Sequence, residues 1–170
     1  MTLRAYITNL GKYNEGELVG QWVNFPCDED DFAEVLEEIG IDEHYEEWFV
    51  TDYECDIDDV ISELGEYTSF DELNGVAEAL EAWDDDGLLA EAVIDIWGAD
   101  ALLETTPDDY MYFEAYDDED IGYYLAEELG ILDECPDNLR NYFDYEAYGR
   151  DIRIESDGGL SSNGYFIQRY

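Results

Sequence analysis

Between Lys12 and Arg140 the chain contains no lysine and no arginine, yet 43 of its 48 carboxylates lie there. An ionised carboxylate is costly to bury without a partner, so nearly all of these side chains must stay in water. Their mutual repulsion disfavours one compact globule and favours several small units with modest cores. Repulsion thus favours elongation, and with the strand and helix periodicities read below the expected fold class is α+β, as an elongated chain of three small subdomains. The chain does fold: with 46% hydrophobic and 15% aromatic residues it is too apolar for a disordered acidic tail.

A formal charge of −42 also limits the partners. Nucleic acid and anionic membrane both demand lysine and arginine to neutralise phosphates, so direct binding to either is not expected, and a basic macromolecule is. No apolar run approaches the roughly 20 residues of a membrane span, and MTLRAYITNL lacks the basic and apolar regions of a signal peptide, so the expected location is cytoplasmic. Cys27, Cys55 and Cys135 form no C-x-x-C pair and are expected to be reduced, mostly buried thiols.

Residues 3–8 alternate Leu3, Ala5 and Ile7 with polar positions, and residues 17–25 carry Leu18, Val19, Trp22, Val23 and Phe25, which predicts two paired strands. Asp28 opens a predicted helix with the stripe Phe32, Val35, Leu36 and Ile39, stopped by Gly40, and a strand follows near 48–53. From Ile57 the period becomes helical: Ile57 to Leu64, then a capping box of Ser69 and Glu72, then a broad apolar helix between Gly87 and Gly98. Pro107 restarts alternation, a helix is predicted over 118–129 and another near 139–143, and two closing strands flank Gly158-Gly159. The boundaries are 1–61 for an N-terminal α+β domain, 62–104 for a central helical domain and 105–170 for a C-terminal α+β domain. Residues 28–41 match 118–131 at a constant offset of 90, which hints that the first and last thirds resemble each other.

Catalytic chemistry finds little support. His44, the only imidazole, sits in the run Asp42-Glu43-His44-Tyr45-Glu46-Glu47, where carboxylates favour its protonated form and make it a poor base. Paired acids are inevitable among 48 and identify no glycosidase, and the phosphate-binding glycine loops are absent. An EF-hand reading of 117–128 fails at the fifth position and collides with the helical stripe Ile121, Tyr124, Leu125 and Leu129. The chain is accordingly read as a non-enzyme with no cofactor, no metal and no catalytic residues.

Duplex DNA carries one phosphate charge per about 1.7 Å, so 43 charges correspond to about 73 Å, or about 21 base pairs. A protein cylinder of duplex width holding this chain would be of similar length, about 75 Å. A basic DNA-binding groove would thus accept this surface in place of DNA, through interactions that weaken with salt. The candidate mimic surface comprises Asp28, Glu29, Asp30, Asp31, Glu34, Glu37, Glu38, Asp84, Asp85, Asp86, Asp108, Asp109, Asp117, Asp118, Glu119 and Asp120, which fall at helix starts or on polar helix faces.

The runs KYNEGELVGQW (12–22), EYTSFDELNGVAEALE (66–81), GILDECPDNLRNYFDYEAYGRDI (130–152) and the ending NGYFIQRY resemble the ArdA family of antirestriction proteins. The resemblance implies a DNA mimic of conjugative mobile elements that occupies the DNA-binding groove of type I restriction-modification enzymes, at their methyltransferase core. It further implies three small domains, a homodimer joined through the C-terminal domain, and an antirestriction segment on 123–138, which here holds Tyr123, Glu127, Glu128, Asp133, Glu134 and Asp137. Tyr110, Tyr112 and Tyr116 are candidates for that dimer interface, and the aromatic residues of 110–116, with Tyr142 and Phe143, suit either the C-terminal core or the dimer contact. Two other readings differ in class. An acidic chaperone or inhibitor of another basic protein would often concentrate its acids in a disordered tail, whereas here they are spread through predicted elements. A halophilic enzyme would retain a catalytic constellation.

Overall fold

The computed structural model describes all 170 residues, which fold as an α+β protein in two compact units. The first comprises Met1–Asp85 with Ala99–Thr105, the second Asp86–Gly98 with Thr106–Tyr170.

The first unit is built on a three-stranded antiparallel sheet in the order β2-β1-β3, from β1 (Leu3–Asn9), β2 (Gly20–Phe25) and β3 (Trp48–Cys55). The alternation of β1 puts Leu3, Ala5 and Ile7 in the core. One-turn α1 (Leu10–Asn14) follows β1, and α2 (Glu29–Glu38) lays Phe32 against Trp48 and Phe70, at ring separations of 5.2 and 4.7 Å. Asp28 has the extended backbone of a helix cap but makes no side-chain capping bond. Buried Asn9 ties strand to helix: its side chain donates to the carbonyls of Ile39 (3.2 Å) and Gly40 (3.0 Å) and accepts from the Lys12 amide (3.0 Å). Ile39 is the cap of α2, so its carbonyl has no amide partner within the helix, and Lys12 Nζ also reaches it at 3.4 Å.

The helical run expected from Ile57 is one turn, α3 (Asp58–Ile61), while α4 (Phe70–Glu81) carries the expected capping box. The Ser69 amide donates to Glu72 (2.8 Å) and the Glu72 amide to the Ser69 hydroxyl (3.3 Å). α5 (Gly87–Trp97) ends at Gly98 as predicted, but the chain re-enters a helix at once in α6 (Ala99–Glu104). α6 packs on α4 in the first unit, where fully buried Trp83 donates its indole N–H to the Leu102 carbonyl at 3.1 Å. α5 belongs to the second unit.

The second unit centres on a sheet in the order β4-β6-β5, from β4 (Tyr110–Glu114), β5 (Gly158–Leu160) and β6 (Tyr165–Arg169), with α5 packed on β5 and β6. Phe113, Ala115, Ile121, Leu125 and Phe166 form its core, with Tyr148 and Ile152 against them. α7 (Asp118–Glu128) crosses α9 (Tyr145–Glu155) at two glycines. A Cβ on Gly122 would sit 1.9 Å from the Tyr145 carbonyl oxygen, and one on Gly149 the same distance from that of Asp118. Only glycine permits this backbone approach.

Three expectations are corrected here. Helix α9 was not predicted; the helix expected over 139–143 is the single turn α8 (Asp137–Arg140); and Gly158-Gly159 lies inside β5. The turn between the closing strands holds Gly164 at φ 87° instead. The offset-90 match has a structural counterpart: α2 and α7 end alike. Gly40 and Gly130 take positive φ, their amides bond to Glu37 and Glu127, and Ile41 and Ile131 reach back to Leu36 and Ala126. No helix is long and apolar enough to cross a membrane.

Candidate acidic binding surface

Every Asp and Glu is exposed except Asp86 and Asp118, which are half-buried. The buried polar residues are Thr8, Asn9 and Ser161, so the core holds no carboxylate. Five acids face a cation: Asp84 the Met1 amino group, Glu54 Arg4 (2.7 Å), Asp137 Arg140 (3.8 Å), Asp151 Arg150 (3.1 Å) and Asp118 Arg153 (2.6 Å). The other carboxylates project one sign of charge with no cation within 4.0 Å.

All six basic side chains are engaged within the molecule. Arg4 lies 5.0 Å over the Trp22 ring, Lys12 5.8 Å over Tyr45, and Arg169 packs 4.9 Å from Trp97 and 5.7 Å from Tyr110. Arg140 donates to the carbonyls of Cys135 (3.3 Å) and Asp133 (3.4 Å). Arg150 and Arg153 have the carboxylate partners named above. Each cation therefore has a neighbour of its own on an otherwise anionic surface.

The candidate mimic residues divide into two groups. Glu29, Asp30 and Asp31 occupy the first turn of α2, where the helix dipole favours them. Asp28, Glu34, Glu37 and Glu38 are exposed as well, while Phe32 and Ile39 are buried. Asp85, Asp108 and Glu119 are likewise exposed and outside any ion pair. The second group also works locally. Asp117 caps the Asp120 amide (2.9 Å), Asp120 the Tyr116 amide (2.9 Å), Asp109 the Thr106 amide (2.8 Å), and Asp86 accepts from the Tyr112 hydroxyl (3.4 Å). The Arg153 hydrogen bond holds the Asp118 carboxyl below the usual range, and burial, with Asp86 adding to it, raises the Tyr112 phenol.

Tyr123, Glu127 and Glu128 are exposed on α7, Asp133 and Glu134 in the turns beyond it, and Asp137 at the start of α8. Of the dimer candidates, Tyr110 is 4% exposed, packed on Trp97 within its own unit, whereas Tyr112 and Tyr116 are 40% and 77% exposed. Phe143 packs between Tyr145 and Tyr148, and Tyr142 is exposed. Sequence reasoning missed a tyrosine-lined cleft in the second unit, formed around Tyr116, Tyr123 and Tyr124. With 15 tyrosines in the chain, no spacing singles out those three.

His44 is exposed, and its amide donates to Asp42 at 2.7 Å. The three cysteines are free and half-buried, less buried than expected. Burial raises the Cys27 thiol, with Asp31 and Asp28 adding to the effect, which disfavours the thiolate. No three His, Cys, Asp or Glu side chains are grouped to hold a metal ion.

A family model described as antirestriction protein (ArdA) matches residues 5–167. No curated protein matches the chain.

Proposed function

The chain belongs to the ArdA family of antirestriction proteins, and from that premise we propose that it blocks type I restriction-modification enzymes by lying in their DNA-binding groove as a mimic of duplex DNA. The observation that carries this reading is the surface just described: exposed carboxylates of one sign, with every basic side chain engaged elsewhere. A groove evolved to neutralise phosphates gains the same counterion release from such a surface.

The mechanism needs no reaction. Glu29, Asp30, Asp31, Glu34, Glu37 and Glu38 stand in for phosphates along one helix, and Asp117 to Asp120 do so at the start of another. Each exposed carboxylate contributes a fraction of a kcal/mol, so binding is distributed. In this reading the protein works in the cytoplasm, protects incoming mobile DNA, and acts as a homodimer joined through residues 105–170. Two copies then imitate about 42 base pairs by the same charge spacing, a footprint suited to a large DNA-binding enzyme.

The test is biological: expression in a host carrying a type I restriction enzyme should raise the plating efficiency of unmodified phage by several orders of magnitude. Unchanged efficiency, with the protein present and folded, would contradict the proposal.

A further inference from the structure

The second unit has a shallow cleft of about 320 Å³ with tyrosine walls. Tyr116, Tyr123 and Tyr124 line it, 77%, 57% and 39% exposed. Each ring has a packing neighbour. Tyr124 stacks on Phe113 with ring centres 3.8 Å apart, Tyr123 packs on Tyr145 at 5.4 Å, and Tyr116 lies over Gly164, where a Cβ would come 2.5 Å from the ring. The Tyr116 amide is further fixed by Asp120 at 2.9 Å. Glu114, Glu127 and Glu128 stand at the rim, and no basic side chain lines the cleft.

We infer that this cleft receives an arginine side chain of the basic partner, its guanidinium stacked on tyrosine and its N–H groups directed to the rim carboxylates. Aromatic faces attract a cation through their quadrupole, and three unpaired carboxylates supply acceptors. Arginine fits better than lysine because its planar, weakly hydrated head can stack and donate in its own plane at once. The protein uses the same chemistry internally, where Arg4 lies on Trp22 while bonding Glu54, and Arg169 packs on Trp97 and Tyr110. The inference rests on the proposed function for the identity of the partner, and it adds a contact that reads side-chain type where the mimic surface reads charge.

Titration of the whole protein with tetra-arginine and tetra-lysine at 0.15 M salt, following the ring resonances of Tyr116, Tyr123 and Tyr124, separates the two contributions. The expected result is about threefold or greater preference for tetra-arginine, centred on these rings. The double variant Tyr116→Ala/Tyr123→Ala should lose the preference, and Tyr116→Phe/Tyr123→Phe, which keeps both rings and the fold, should retain it. Equal response to both peptides, or a preference unchanged in the alanine variant, overturns the inference. So does conversion of a dimer to monomer by the alanine variant with no arginine preference in the parent protein, since a second copy then covers the cleft. If the parent protein prefers arginine at these rings yet displaces no DNA from a type I enzyme, the cleft assignment stands and the proposed partner falls.

Discussion

Arg153 on α9 grips Asp118 at the start of α7 with two bonds, Nε to Oδ1 at 2.6 Å and Nη2 to Oδ2 at 3.0 Å. This bidentate pair trades a candidate mimic carboxylate for a tertiary contact between two helices. Asp118→Asn should destabilise the second unit by about 1 kcal/mol, between the values for exposed and buried pairs, since loss of one acid also relieves some repulsion. Urea midpoints of the two proteins check this.

The same pair sets a pH window. The folded carboxyl of Asp118 is held below its ordinary value by Arg153, so its contribution is fully present above the unfolded carboxylate range near 4 and is lost as pH falls through the folded value. Melting temperature followed from pH 6 to pH 2 should fall more steeply at the acid end for the parent protein than for Asp118→Asn. Parallel curves would contradict the assignment.

Two glycines give opposite predictions. In Gly149→Ala the new methyl meets the Asp118 carbonyl and must push α7 from α9, costing about 3 kcal/mol. Gly75, inside α4, has nothing within 4 Å of its would-be Cβ, so Gly75→Ala should stabilise by about 0.5–1 kcal/mol. Denaturant titration of both variants checks sign and size.

Because most carboxylates lack partners, self-repulsion should be a measurable load on the native state. Raising sodium chloride from 0.02 to 0.5 M should increase the melting temperature by several degrees, as screening weakens that repulsion. A flat or falling curve would show that the acids are better compensated than their surroundings imply.

Charge neutralisation tests the distributed mechanism. Glu34→Gln/Glu37→Gln/Glu38→Gln on α2 should weaken binding to a type I methyltransferase only a few-fold and flatten its salt dependence. Competition binding at two salt concentrations reads both effects. Abolition of binding by one of these changes alone would identify a single key contact and contradict a distributed one.

What the sequence makes legible follows from what each feature depends on. Leu3, Ala5 and Ile7, the Ser69-Glu72 capping box and the Gly40 stop are local signals, and each appears where its spacing places it. Exposure of the acids was equally legible, since a carboxylate is solvated by default. Helix α9 was not, because its apolar stripe is thin: Tyr148 and Ile152 face the core, Ile154 is 67% exposed, and Gly149 at its centre reads as a helix breaker. The glycine is required only by the backbone of a partner helix, which no local pattern reveals. Nor could spacing separate Asp117 and Asp120, which cap local amides, from Glu119, which does not. Those distinctions come from rotamers and neighbours.

The central claim is tested most directly by displacement of a labelled duplex from a purified type I methyltransferase, at low and at high salt. The account predicts stoichiometric displacement at low salt that weakens steeply as salt rises. No displacement at low salt by folded protein, from an enzyme shown to bind its DNA, would contradict it and point to a different basic partner.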